Sequence, residues 1–239
     1  MTLLDVTALA PLTVVSPHLD DAVLSCAGLI AGAPGTTVLT VFAGFPPARD
    51  AATPAQSLPG STSWDQACGF VAGDDVVALR QTEDRAALAH LGATPRWLDF
   101  LDSQYVVEPG ESATPSGIAA AIREAIGDLK PATVGFPLGL SHTDHERTHE
   151  ACFLLLKESP ELAANWVAFI DVPYRALYRA QADLRLARLR ELGYELQPLS
   201  FNLGERKIAA LDEYPSQLKA LAESTKNAEL PEECFLLRH

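Results

Sequence analysis

The chain has 239 residues, of which 48% are hydrophobic, and a formal net charge of −13. That composition can bury a full core and excludes disordered and fibrous classes. So acidic a surface repels phosphate backbones and anionic head groups, which argues against a nucleic-acid partner, and no apolar stretch approaches the length of a membrane span.

Leu12–Ser16 is a short apolar, β-branched run that reads as a buried strand. From Asp20 to Ala33, Val23, Leu24, Ala27 and Ile30 recur near helical spacing, and Gly32, Pro34 and Gly35 stop the helix. Thr36–Phe42 is a second strand. This strand–helix–strand opening predicts a parallel α/β sheet with right-handed crossovers. Gly44–Ser63 reads as a long loop, followed by helices over Ser63–Ala72 and Thr82–Leu91 and a strand over Arg96–Phe100. A polar loop, Asp102–Pro115, leads into a helix over Pro115–Leu129. Then come a strand at Ala132–Phe136, a turn at Pro137–Ser141 and a helix over Thr143–Lys157. Trp166–Ile170 is a strand, and Tyr174–Tyr178 reads as another. A charged helix over Ala180–Leu192, a strand at Tyr194–Ser200 and a helix over Glu205–Leu221 complete the series. No repeat or clear boundary interrupts it, so residues 1–239 read as one domain.

The four cysteines, Cys26, Cys68, Cys152 and Cys234, form no CxxC pair and read as reduced, buried thiols. Met1–Ala10 carries no Lys or Arg and includes Asp5, unlike a signal peptide, so the expected address is cytoplasmic. A homo-oligomer stays open.

Two acid–histidine clusters carry the chemistry. His18-Leu19-Asp20-Asp21 follows the first strand, where ligands of open α/β sheets gather. His18 and Asp21, three apart on a turn entering a helix, can aim at one point, and an imidazole with a carboxylate suits zinc. Asp20 would then stand beside the metal, able to take a proton from water. The plainer alternative is that Asp20 or Asp21 merely caps the helix. No G-x-G-x-x-G turn follows the strand, so dinucleotide binding lacks its main support. The second cluster, His142-Thr143-Asp144-His145, begins a stretch to His149 that holds three of the six histidines. Inside it, His145-Glu146-Arg147-Thr148-His149 spells H-E-x-x-H, so a zinc peptidase with Glu146 as base is a rival. That reading leaves His18, Asp20 and Asp21 without a task. A catalytically silent α/β binding module is a further alternative, disfavoured by the intact Asp20.

Taken together, the clusters resemble the PIG-L (LmbE-like) zinc deacetylases, which remove acetyl groups from N-acetylglucosamine-type sugars. The family's H-P-D-D-E stands here as His18-Leu19-Asp20-Asp21-Ala22, and its H-P-D-H as His142-Thr143-Asp144-His145. Arg80, Glu83, Ala87, Leu91 and Gly92 keep the spacing of its R-x-x-E-x-x-x-A-x-x-x-L-G helix. Asp102 falls where the family has a sugar-contacting acid, and Lys207, Ala210, Tyr214, Ser216 and Gln217 match its late segment. The resemblance spans about residues 12 to 220. It implies a Rossmann-like α/β fold, a mostly parallel sheet with helices on both faces. It implies zinc, or another divalent metal, on His18, Asp21 and His145, with Asp20 as general base. His142 would stabilise the oxyanion or protonate the leaving amine, and Asp144 would orient His142 or a ligand. Arg80 and Asp102 would touch sugar hydroxyls. The implied partner is a small N-acetylated sugar or glycoconjugate. Leu19 for proline and Ala22 for glutamate are departures that remove no ligand. Trp64, Tyr174 and Tyr178 can stack on a sugar ring, although packing is the better reading of each. The Gly44–Ser63 and Asp102–Pro115 loops are candidates for the rim of the site.

Overall fold

The computed structural model describes residues 6–47, 57–108, 110, 112–201, 204–221 and 231–239. The middle of the expected Gly44–Ser63 loop, and positions 109 and 111 of the second loop, lie outside the described residues.

The elements are β1 (Leu12–Ser16), α1 (Asp21–Gly32), β2 (Thr37–Thr40), α2 (Ser63–Cys68), α3 (Val76–Leu91), β3 (Thr94–Trp97), α4 (Pro115–Leu129) and β4 (Thr133–Pro137). They continue with α5 (Thr143–Glu158), β5 (Asn165–Phe169), α6 (Arg179–Glu191), β6 (Glu195–Leu199), α7 (Glu205–Asp212), α8 (Pro215–Ala220) and β7 (Cys234–Arg238). All seven strands join one sheet in the order β3-β2-β1-β4-β5-β7-β6. The pairings from β3 through β5 are parallel, and β7 runs antiparallel to both its neighbours. The expected mostly parallel α/β fold is therefore the observed one.

Both faces of the sheet are covered, so the strands read as continuous apolar runs rather than alternating ones. Successive side chains still point to opposite faces. Leu12, Val14, Val38, Val167 and Phe169 pack with α1, α3 and α7. Val15, Leu39, Val134, Phe136 and Ala168 pack with α4, α5 and α6. In α4, Ile118, Ile122 and Ile126 recur every fourth residue and are buried to within 2%, each contributing about 1.5–3 kcal/mol of transfer free energy. Thr114 caps this helix by accepting from Gly117 N, and Pro115 supplies a preset first turn.

Five elements depart from the expectation, among them β3, which runs Thr94–Trp97 rather than Arg96–Phe100. Helix α3 starts at Val76 rather than Thr82, because Asp75 accepts from Ala78 N and places Arg80 inside the helix. Helix α2 stops at Cys68, where Gly69 turns left-handed at φ 95°. Tyr174–Tyr178 is a run of turns closed by Tyr174 and Arg175 N–H onto the Asp171 carbonyl, not a strand. The Glu205–Leu221 helix is two helices, because Pro215 cannot continue α7 and instead begins α8. Strand β7 escaped the sequence pattern altogether.

Candidate active site

The chain order in the sheet reverses between β1 and β4, the neighbours whose crossovers lead in opposite directions. Open α/β sheets bind ligands at the carboxyl ends of such strands. The first cluster follows β1 and the second follows β4.

After β1, Ser16 Oγ donates to the His18 carbonyl (2.8 Å) and accepts from Ala22 N–H (3.1 Å), folding the turn. His18 N–H donates to Asp21 Oδ2 (2.9 Å). Leu19, in place of proline, is buried at 3% exposure. Asp20 occupies the N-cap position of α1, yet its side chain makes no capping hydrogen bond. The capping alternative therefore does not hold for Asp20, whose carboxylate faces Arg80 instead, with Oδ1 3.7 Å from Nη2.

After β4, Gly139 adopts φ 71°, and a Cβ there would collide with His149 and the His145 carbonyl. This tight turn delivers His142 to the N-cap of α5, where its Nδ1 accepts from Asp144 N–H (3.3 Å).

The two clusters meet. Asp21 Oδ2 lies 3.2 Å from His18 Nδ1 and 3.1 Å from His145 Nε2. Each histidine turns its other nitrogen to a further carboxylate: His18 Nε2 lies 3.4 Å from Asp144 Oδ2, and His145 Nδ1 lies 2.6 Å from Asp171 Oδ1. Asp144 also accepts from Ser103 N–H (2.9 Å) and Arg147 (3.1 Å). Of the two residues it was expected to orient, its carboxylate faces His18. Its contact with His142 runs the other way, its own amide donating to that ring. Arg80 bridges Asp20 and Asp102, with Nη1 3.8 Å from Asp102 Oδ2. Asp102 in turn caps a short turn at Ser103–Tyr105 by accepting from Gln104 N–H.

This donor set fits a divalent metal. Ligands at zinc distances stand about 3.4 Å apart around a tetrahedral ion, close to the 3.2 and 3.1 Å that separate Asp21 Oδ2 from His18 Nδ1 and His145 Nε2. His145 Nε2 is buried without a hydrogen-bond partner, a state it shares with His149 Nε2, and it stands 3.1 Å from Asp21 Oδ2, as a nitrogen reserved for a cation would. Donor atoms of His18, His142 and His145 also lie within 4.8 Å of one another, as do those of His18, Asp102 and Asp144. A carboxylate behind each histidine is the usual support for a metal-bound imidazole.

The electrostatics agree. Burial lifts the Asp20 carboxyl to about 6, helped by the charge of Asp21 and opposed by Arg80. Burial would lift Asp21 too, but His145 and His18 hold it well below the usual range. Burial disfavours charge on His145, yet Asp21 and Asp171 overcome it and raise its pKa to about 9. His18 is likewise raised, by Asp144 and Asp21 against its burial. A field that holds protons on two buried imidazoles also attracts a cation in their place. His142 moves the other way, lowered by burial and then by His18.

The H-E-x-x-H string does not assemble. His149 is buried beside Phe136 and Phe153, with Nδ1 3.0 Å from the Pro137 carbonyl. Glu146 accepts from Gln181 (2.8 Å). Neither takes part in the donor groups found among the described residues, which are His18 with His142 and His145 and His18 with Asp102 and Asp144; Asp21 enters through its own contacts to His18 and His145.

A cleft open to solvent contains His18, Asp20, Asp21, Arg80, Asp102 and His142 in its polar wall. Trp64 and Tyr174 face them, so for these two the packing reading is incomplete. Tyr174 meets His145 edge-on at 5.1 Å. Tyr178 is 40% exposed and lies outside the cleft lining. Sequence reasoning missed Asp171. Its only signal is an acid directly after an apolar strand, in a sheet that binds at such ends.

A family model described as GlcNAc-PI de-N-acetylase (PIG-L) matches residues 13–155. The chain belongs to the PIG-L family. Among solved structures, this PIG-L chain is similar to the zinc-inhibited form of the teicoplanin deacetylase Orf2, at 25% identity and TM-score 0.71, with 95% of this chain and 97% of that chain covered. It is also similar to the A40926 pseudoaglycone deacetylase Dbv21, at 28% identity and TM-score 0.68, with 95% of each chain covered. No curated protein matches it significantly.

Proposed function

We propose that this PIG-L protein hydrolyses the amide of an N-acetylglucosamine-type sugar or glycoconjugate, releasing acetate and the free amine. One observation carries the reading: Asp21 Oδ2 stands between His18 Nδ1 and His145 Nε2, with the uncapped carboxylate of Asp20 beside them. His18, Asp21 and His145 would hold a divalent ion, zinc first, although this donor set suits several metals. When bound, that ion supplies Lewis acidity to the acetyl carbonyl and acidifies water.

The chain's own groups handle the protons and the geometry. Asp20 takes a proton from the attacking water at its carboxylate and passes it to the departing nitrogen as the C–N bond breaks. Arg80 opposes the burial of Asp20 and keeps it available as a base. His142 Nδ1 is an acceptor for Asp144 N–H, so its proton sits on Nε2. From the cleft wall, that N–H donates to the carbonyl oxygen as negative charge develops. Arg80 and Asp102 meet sugar hydroxyls. Likeness to the teicoplanin and A40926 pseudoaglycone deacetylases favours a sugar carried on a larger scaffold. A cytoplasmic address is supported by four free, buried cysteines, and among the described residues no helix is long and apolar enough to cross a membrane. One sheet drawing strands from Leu12 to Arg238 supports a single domain over residues 1–239.

The test is acetate release from a panel of N-acetylglucosaminyl substrates. Chelation should abolish it and zinc restore it. Asp20→Asn should lower kcat by about 10²–10⁴ while metal content is unchanged. A peptidase is indicated instead if His18→Ala keeps metal and activity while His149→Ala loses both. A silent binding module is indicated if no substrate in the panel releases acetate.

A further inference from the structure

We infer that Asp171, which belongs to neither sequence cluster, is a positioning residue that sets the tautomer and aim of His145. The inference rests on the metal-dependent reading above. His145 is fully buried on the first turn of α5, and Asp171 is 1% exposed just beyond the end of β5. Its Oδ1 lies 2.6 Å from His145 Nδ1, and its Oδ2 accepts from Gly139 N–H at 2.9 Å. The Asp171 carbonyl accepts from Tyr174 and Arg175 N–H, which closes the turn that holds the carboxylate in place.

A neutral imidazole has one N–H and one lone pair, so the partner at one nitrogen decides the state of the other. Both carboxylates around His145 are acceptors and compete for its proton. Asp171 wins on geometry: it is at 2.6 Å, against 3.1 Å for Asp21, and Nε2 has no directed hydrogen bond. Metal binding takes one proton from this imidazole; the proton that remains stays on Nδ1, and the Nε2 lone pair faces the Asp21–His18 side of the cleft. The Gly139 amide makes this arrangement directional. It requires an acceptor at one oxygen of residue 171. In Asp171→Asn the carbonyl oxygen is drawn to Gly139, and the amide NH₂ faces His145 Nδ1. The ring must then accept at Nδ1 and carry its proton on Nε2, where the ion would bind.

Zinc affinity, measured by competition with a chromophoric chelator on the full-length chain, tests this. Asp171→Asn should bind zinc about 10–100-fold more weakly than wild type. Long-range ¹H–¹⁵N spectra of the wild-type protein loaded with zinc should show His145 protonated at Nδ1. The same spectra of metal-free Asp171→Asn should show the Nε2-protonated form. Equal zinc affinity in a folded Asp171→Asn overturns the inference and leaves the functional proposal standing. A wild-type protein that binds no zinc overturns both. If Asp171→Asn does not fold, the wild-type spectra decide: a zinc-loaded His145 without a proton on Nδ1 overturns the inference.

Discussion

Asp20 and Asp21 are sequence neighbours with opposite electrostatic fates. Burial lifts the first to about 6, while two imidazoles hold the second well below its ordinary range despite the same burial. Carboxyls pushed apart in this way suit different roles, in the proposed reaction proton carrier and ligand. A third carboxyl, Asp84, lies behind Arg80 and accepts from Trp97 Nε1 (2.8 Å) and Tyr214 OH (3.0 Å). Burial outweighs those hydrogen bonds and raises its pKa from 3.8 to about 7. The folded carboxyl thus holds its proton more tightly than the unfolded one. Its contribution favours the fold below about pH 4 and is lost as pH rises from there to about 7, a swing on the order of 4 kcal/mol. Asp84→Asn should remove that slope. Urea midpoints of wild type and variant between pH 4 and 8 should diverge progressively, and parallel profiles would sink the argument. The clustered residues of the candidate site, His18, Asp20, Asp21, His142, Asp144 and His145, were legible because each lies in a short motif. Asp171 was not, because a single acid after a strand acquires meaning only from the imidazole it meets.

Helix boundaries place side chains as much as sequence motifs do. Starting α3 at Asp75 puts Arg80 and Glu83 on one continuous helix, and Glu83 then reaches α8. Its carboxylate accepts from both Ser216 N–H (3.1 Å) and Ser216 Oγ (2.6 Å), satisfying groups at the start of that helix. Helix α8 carries Gln217, whose Oε1 accepts from Trp64 Nε1 at 3.3 Å across the cleft wall. Glu83→Ala should cost about 1–3 kcal/mol and loosen this wall. Steady-state kinetics should show KM raised severalfold with kcat nearly unchanged. A fall in kcat at constant KM would contradict a role in shaping the wall. The break between α7 and α8 was visible as Pro215, but the helical spacing on either side masked it. The turn at Tyr174–Tyr178 read as a strand because a mostly apolar run of five residues is too short to distinguish the two. Hydrogen bonds to the Asp171 carbonyl decide it.

At the scale of the molecule, β7 enters between β5 and β6 and pairs with both. It buries Cys234 and Leu236 on one face and Leu237 on the other. A chain ending at residue 230 should lose its cooperative unfolding transition and aggregate, because an unpaired apolar edge is left along β5. Cooperative melting at the wild-type temperature would contradict this. The sequence alone determined the class of fold, most elements, and the two acid–histidine clusters, because these depend on local periodicity and on residue types within a few positions. Only the tertiary structure decided that β1 and β4 are neighbours, and so that His18 meets His145. Only it buried His149 against Phe136 and Phe153, away from the donor groups, and brought Asp171 and β7 into place. Those outcomes rest on pairings between strands far apart in the chain, chosen by burial of both sheet faces at once, which no short window of sequence records.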